Sequence, residues 1–120
     1  MTPYRLILAV PFLAASAAYA DGDATKGQRV FKKCAACHSA DPAQRKPGPH
    51  LQDILGRPAG SVEGFKYSAS MAEAGLVWHE STLRAFLADP KGTVPKTRMG
   101  FRGIKKEADL TNLMAYLKGL

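Results

Sequence analysis

The sequence predicts an all-α domain in which short helices are joined by long loops. Apolar residues recur at helical i, i+3, i+4 spacing in three segments. No stretch of useful length alternates apolar and polar residues as a half-buried strand does. The intervening segments are crowded with glycine and proline, which is loop composition. The 120 residues suffice for one domain of ordinary size. A composition 46% hydrophobic and 22% charged lies near the globular average and argues against disorder and against a polytopic membrane protein. Seventeen Lys and Arg against ten Asp and Glu give a net charge of +7, an excess that suits acidic partners. With only two cysteines, a scaffold of several disulfides is excluded.

Residues 1–20 read as a cleaved secretory signal peptide. One charge, Arg5, precedes an apolar run from Leu6 to Ala15, and small residues follow, ending in Ala18-Tyr19-Ala20. The run is shorter than the roughly 20 residues a membrane-spanning helix needs, and Pro11 interrupts it. Cleavage after Ala20 leaves residues 21–120 as the mature domain, exported, without a permanent membrane anchor and, in a bacterium, periplasmic. Only Arg5 is lost among the charged groups, so the mature chain stays basic.

Within the mature chain, Asp23 is placed to cap a first helix running to about Cys37, with Gly27, Val30, Phe31 and Cys34 on one face. Gly27 lowers helix propensity, so its small size implies the close approach of another element. From Ser39 to Phe65 four prolines and four glycines predict a loop, with one helical turn at Leu51–Leu55. A long ordered loop in a small domain usually wraps something. Ser70 to Ala74 predicts a short helix closed by Gly75 as its C′ residue. Leu83, Phe86 and Leu87 place another helix over Glu80–Ala88, ended by Asp89-Pro90, and Pro90 to Gly103 reads as a further loop. The last helix carries Leu110, Leu113, Met114 and Leu117 as a stripe, with Gly119 just past its end.

The chemistry sits in Cys34-Ala35-Ala36-Cys37-His38. Cys-x-x-Cys-His is the attachment motif of c-type haem. Two thiols three residues apart can reach the two vinyl groups of one porphyrin edge, and the adjacent His38 is then held where its imidazole can bind the iron from one face. A thioredoxin-like redox pair needs a βαβ setting, which the all-α pattern does not offer. A structural zinc site usually needs four ligands, and no second cysteine pair exists. A plain disulfide gives no reason for His38. One haem c, covalent through Cys34 and Cys37, is therefore the expected cofactor, and its iron the expected metal.

The second axial ligand is sought among Met71, Met99, Met114, His50 and His79. Met114 lies on the apolar stripe of the last helix and reads as core. Met71 lies in a helical stretch, His50 reads as exposed, and His79 as a cap or hydrogen-bonding residue at a helix start. Met99 differs because it sits in the irregular loop Pro95 to Phe101, far beyond His38, where a chain can return over the opposite haem face. Gly100 is expected to give that loop backbone freedom. His38 and Met99 are the expected iron ligands.

Together these residues resemble the class I c-type cytochromes, the branch that includes mitochondrial cytochrome c and its soluble bacterial relatives. The resemblance covers essentially the whole mature chain. It implies that family's fold, in which short helices and long loops wrap around one haem and the N- and C-terminal helices pack across each other. Leu113 and Tyr116 would then meet the first helix near Gly27 and Phe31. Gly48-Pro49-His50-Leu51 is similar to the family's proximal loop and implies a hydrogen bond from the Nδ1–H of His38 to the Pro49 carbonyl. Gly56-Arg57, Phe65-Lys66-Tyr67-Ser68 and Gly75-Leu76-Val77-Trp78 resemble the segments around the buried propionate, with Arg57, Tyr67 and Trp78 bonding to it directly or through water. Pro95 to Phe101 is similar to the methionine loop. Three positions depart from the pattern. Phe86 stands where many relatives have tyrosine, Met71 where many have asparagine, and His50 where asparagine is common.

A haem closed by His and Met has no open position for substrate. The expectation is a soluble, monomeric one-electron carrier, not an enzyme, shuttling between membrane or periplasmic redox enzymes and without a nucleic-acid partner. Lys33, Lys91, Lys96, Arg98, Arg102, Lys105 and Lys106 lie just before the haem motif or flank the methionine loop. The resemblance puts them around the exposed haem edge, as a positive ring for acidic docking surfaces. A second reading is a haem-based ligand sensor or peroxidase in which Met99 detaches easily, motivated by the polar groups lost at Phe86 and Met71.

Overall fold

The computed structural model describes residues 22–120, so the leader and its cleavage point lie outside the described residues. Five helices follow one another: α1 (Ala24–Phe31), α2 (Ala69–Ala72), α3 (Glu80–Ala88), α4 (Pro90–Thr93) and α5 (Glu107–Leu117). An isolated antiparallel bridge joins Pro58 to Val77.

Asp23 sets the start of α1, its carboxylate accepting from the backbone N–H groups of Thr25 and Lys26. Such a cap is worth about 1 kcal/mol. The regular helix stops at Phe31, short of the expected Cys37. Beyond it the chain tightens: Lys33 donates to Val30 and Cys34 to Phe31, each three residues back, before His38 donates to Cys34. Cys34 is half-buried and Cys37 exposed.

The loop that follows has no helical turn at Leu51–Leu55, because Asp53 takes a left-handed φ of 52° that interrupts one. The second helix lies slightly earlier than expected. Ser68 caps α2, its hydroxyl accepting from the Met71 N–H, and the C-cap is Glu73. Gly75, at φ 66°, turns the chain one residue later than the C′ position. α3 has the expected bounds. Pro90 does not open a loop but begins α4, where Asp89 caps by accepting from the Gly92 N–H. Proline at a helix's first position forfeits only an N–H that would have no partner there.

The terminal helices cross at Gly27. A Cβ at residue 27 would lie 1.9 Å from the Asn112 carbonyl oxygen and 2.9 Å from Tyr116 Cβ, so the α5 backbone passes directly over the glycine. The rings of Phe31 and Tyr116 meet beside this crossing with centroids 5.0 Å apart. Asp23 N–H donates to Asn112 Oδ1 at 2.9 Å. On the other side of α5, Leu110, Leu113, Met114 and Leu117 are buried against Leu83, Phe86 and Leu87 of α3 and against Val94 and Ile104. Ion pairs at the surface, half-buried Arg84 to exposed Glu107 at 2.5 Å and Lys118 to Glu80 at 3.0 Å, also link α3 to the α5 helix and its C-cap. Pairs of this kind add little. The helix crossing is the stronger tie, and Gly27→Ala is expected to lower stability by about 3 kcal/mol. Guanidinium unfolding of the haem-loaded protein measures it, with exposed Gln28→Ala as a control within about 0.5 kcal/mol of the parent.

Candidate cofactor site

A cavity of about 440 Å³ gathers the residues singled out from the sequence for cofactor binding. Cys34, Cys37 and His38 reach it from the turns after α1, and Pro49 and Arg57 from the following loop. Tyr67 and Trp78 come from either side of α2, and Met99 from the loop before α5. Apolar side chains build much of the remaining wall, among them Leu51, Ile54, Met71, Phe86, Phe101 and Leu113.

The segment around His38 is laced to the proline loop. Gly48 N–H donates to the Cys37 carbonyl at 2.7 Å and Leu51 N–H to the Ser39 carbonyl at 2.8 Å. Between them, His38 Nδ1 lies 2.7 Å from the Pro49 carbonyl oxygen. A carbonyl can only accept, so Nδ1 carries the proton and the Nε2 lone pair is free. Burial pushes His38 below the usual imidazole range; the Pro49 bond opposes this and the Lys46 charge adds to it. The result is a neutral ring in one tautomer, the form that ligates a metal. Gly48 is required here because a Cβ would come within 2.5 Å of His38 Cε1 and 2.8 Å of the Cys37 oxygen. Burial also raises the Cys34 thiol above its ordinary range, with Lys33 pulling it down and Cys37 pushing it up. Unreacted Cys34 is therefore held as a neutral thiol.

Arg57 organises the next stretch. Its guanidinium donates to the His50 carbonyl at 2.7 Å and to the Gln52 carbonyl, and reaches His50 Nδ1 at 3.3 Å. Gln52 N–H approaches the same nitrogen at 3.2 Å. Both groups are donors, so His50 Nδ1 accepts, and the ring acts as an asparagine side-chain oxygen would in an Asx turn. His50 is thus half-buried and bonded, not exposed as expected. Burial lowers the Arg57 pKa, with Tyr67 and Asp53 opposing. The Tyr67 hydroxyl accepts from Val62 N–H at 2.9 Å, leaving its own proton to donate elsewhere. Trp78 is buried, its ring 5.0 Å from that of Phe86.

Met99 is half-buried, and its N–H donates to Thr97 Oγ1 at 3.3 Å. The left-handed residue of its loop is Lys96, at φ 61°; Gly100 has no positive φ, and nothing lies near its Cβ position. Gly100 therefore does not shape the loop as expected. Met114 is buried and does not line the cavity, whereas Met71 does. His79 is the exposed N-cap residue of α3, and its side chain makes no capping bond.

Of the seven basic residues expected around the opening, Lys33 and Arg98 line the cavity. Lys91, Lys96, Arg102, Lys105 and Lys106 are exposed but do not line it, and Lys105 Nζ donates to the Ala88 carbonyl at 3.1 Å. Lys66 and Phe101 line the cavity without having been singled out. Their only sequence signal was proximity to Tyr67 and to Met99.

Two thiols, an imidazole with a free Nε2, a thioether and a largely apolar wall fit a covalently attached haem. Among the described residues, no group of three or more Cys, His, Asp and Glu side chains is arranged to hold a bare metal ion.

The family model that matches is that of cytochrome c, over residues 24–120. Cytochrome c2 of Blastochloris viridis is 42% identical over 116 residues, covering 95% of this chain and 91% of that protein. Cytochrome c of Gossypium barbadense is 43% identical over 99 residues, covering 81% of this chain and 89% of that protein. Among solved structures, cytochrome cH from Methylobacterium extorquens superposes with a TM-score of 0.77 at 37% identity, covering 82% of this chain and all of that one.

The acceptor role of His50 makes a test at this end of the cavity. His50→Asn is expected to leave stability within about 0.5 kcal/mol, since the amide oxygen takes both bonds, whereas His50→Ala loses about 1 kcal/mol. Guanidinium midpoints of the two haem-loaded variants distinguish them.

Proposed function

We propose that this chain, which belongs to the cytochrome c family and is an electron carrier with one covalently bound haem c, not an enzyme, holds the haem iron between His38 and Met99 and shuttles single electrons between redox enzymes of the periplasm. The convergence of His38, Met99, Cys34 and Cys37 on one cavity carries this reading.

Haem c supplies an iron that alternates between two oxidation states by one electron. The chain does the rest. Cys34 and Cys37 keep the group attached after export. His38 offers Nε2 while its Nδ1–H is held by the Pro49 carbonyl, so the ring keeps its orientation through a change of iron charge. The Met99 thioether favours the reduced state and raises the potential. Apolar walls exclude water, and a low dielectric opposes the extra charge of the oxidised form. Arg57, Tyr67 and Trp78 offer donors to a propionate. With His38 and Met99 both bound to it, the iron would have no position left for substrate.

The leader pattern of residues 1–20 supports export, and the alignment with the Blastochloris viridis protein extends into the residues before Gly22. No helix among the described residues is long and apolar enough to cross a membrane. Cleavage after Ala20 makes 21–120 the working domain. Lys33 and Arg98 at the cavity, with the exposed Lys91, Lys96, Arg102, Lys105 and Lys106 flanking the Met99 loop in sequence, orient the protein on acidic docking surfaces. Such redox encounters bury little area and trade affinity for turnover.

The optical spectrum of the reduced protein at neutral pH is expected not to change on adding carbon monoxide, and that of Met99→Ala to change. Carbon monoxide binding by the parent protein would overturn the closed His38/Met99 arrangement. Electron transfer to an acidic partner is expected to slow steeply as ionic strength rises. A rate indifferent to salt would remove the docking ring.

A further inference from the structure

We propose that Lys46 is a positioning residue for the haem, its ammonium group fastening the turn between the two attachment cysteines and fixing a positive charge there. The inference rests on attachment at Cys34 and Cys37 and on His38 as the iron ligand. Lys46 Nζ donates to the carbonyl oxygen of Ala35 at 2.6 Å, and the ammonium charge assists the bond. Ala35 sits between the two cysteines, in the tight turns that continue α1. The amides that follow it are committed elsewhere, since Cys37 and His38 both donate to the Cys34 carbonyl. The Ala35 oxygen is thus an orphan acceptor at the end of a helical run, the place where a cation both satisfies the carbonyl and favours the helix dipole.

The bond is also the first of a series. Lys46 Nζ meets the Ala35 oxygen, Gly48 N–H the Cys37 oxygen, the Pro49 oxygen the His38 Nδ1–H, and Leu51 N–H the Ser39 oxygen. The four contacts run in step along residues 35–39 and 46–51. Two of them need only backbone and a third uses the imidazole itself, so the end nearest Cys34 depends on Lys46 alone. An exposed lysine is ordinarily a solvated charge with no fixed place. Here the ammonium is held beside the segment that carries both thiols and His38, and a fixed cation there disfavours the oxidised iron. Lys46 stands outside the residues assigned to docking.

The test compares the haem-loaded proteins carrying Lys46→Met, Lys46→Arg and Lys32→Met, the last removing an exposed charge from a residue that lines the same surface depression as Ala35. The readouts are amide hydrogen exchange at Gly48 and Leu51 and the reduction potential. In Lys46→Met, exchange at both amides is expected to quicken about tenfold, the loss of one charge-assisted bond. The oxidised-to-reduced ratio at a fixed applied potential is expected to rise about twofold. Lys46→Arg, whose guanidinium can donate to the same oxygen, is expected to restore both. No change in Lys46→Met, or equal changes in Lys32→Met, overturns the proposal. If Lys46→Met yields no attached haem, the Arg variant decides: recovery supports the role, and continued failure overturns it. Carbon monoxide binding by the parent protein would instead locate the failure in the axial-ligand assignment.

Discussion

The contact between Gly27 and the Asn112 backbone sets the separation of α1 and α5, and the cavity depends on that separation. Helix axes commonly pack 8–10 Å apart, with side chains between them. At Gly27 no side chain intervenes, and a second glycine, Gly22, passes the Thr111 carbonyl just as closely. The turns that follow α1 carry the attachment cysteines and His38. On the other side of α5, Leu113 and Leu117 line the cavity. Attachment segment and back wall are therefore held by one close crossing, and any residue larger than glycine would move one against the other.

The helices are too short to stand alone. The longest has 11 residues and two have four, whereas an isolated helix below about 12–15 residues is marginal in water. Their stability comes from packing, yet several of the best-buried side chains, Trp78, Leu83, Phe86, Leu87, Leu113 and Leu117, also border the cavity. What fills that space packs against their cavity-facing atoms. The cofactor completes the core as well as performing the chemistry, so attachment and folding are coupled. Long loops suit this arrangement, because a flat ring has to be approached from several directions and no single helix offers that.

Where local chemistry decides the backbone, the sequence could be read. Asp23, the α3 span and the α5 stripe are of this kind, each set by residues within a few positions. The end of α1 was misplaced because its apolar face continues to Cys34 while the backbone tightens beyond Phe31. α4 was read as loop because proline stops one helix and equally well starts the next. Nothing local announces the left-handed Asp53 that removes the turn at Leu51–Leu55. The cavity residues were legible for a different reason: a short motif with one chemistry, together with a resemblance that supplied the partners distant in sequence. The His50 ring accepting from Gln52 and Arg57, and the Lys46 bond to Ala35, depend on the register of two loops, which no local pattern encodes.

The two sides of the cavity are held by different means. The His38 side is fastened by hydrogen bonds, including the one from its own ring to Pro49. Met99 N–H donates to Thr97 Oγ1, and Phe86 and Met71 add apolar wall to the same cavity. A polar network near an iron that changes charge must reorient its dipoles with every electron, whereas apolar side chains have little to reorient. The apolar side chains of Phe86 and Met71 therefore add little to reorganisation. Apolar wall at Phe86 and Met71 suits the proposed electron carrier, whose iron would have to change charge with little rearrangement around it.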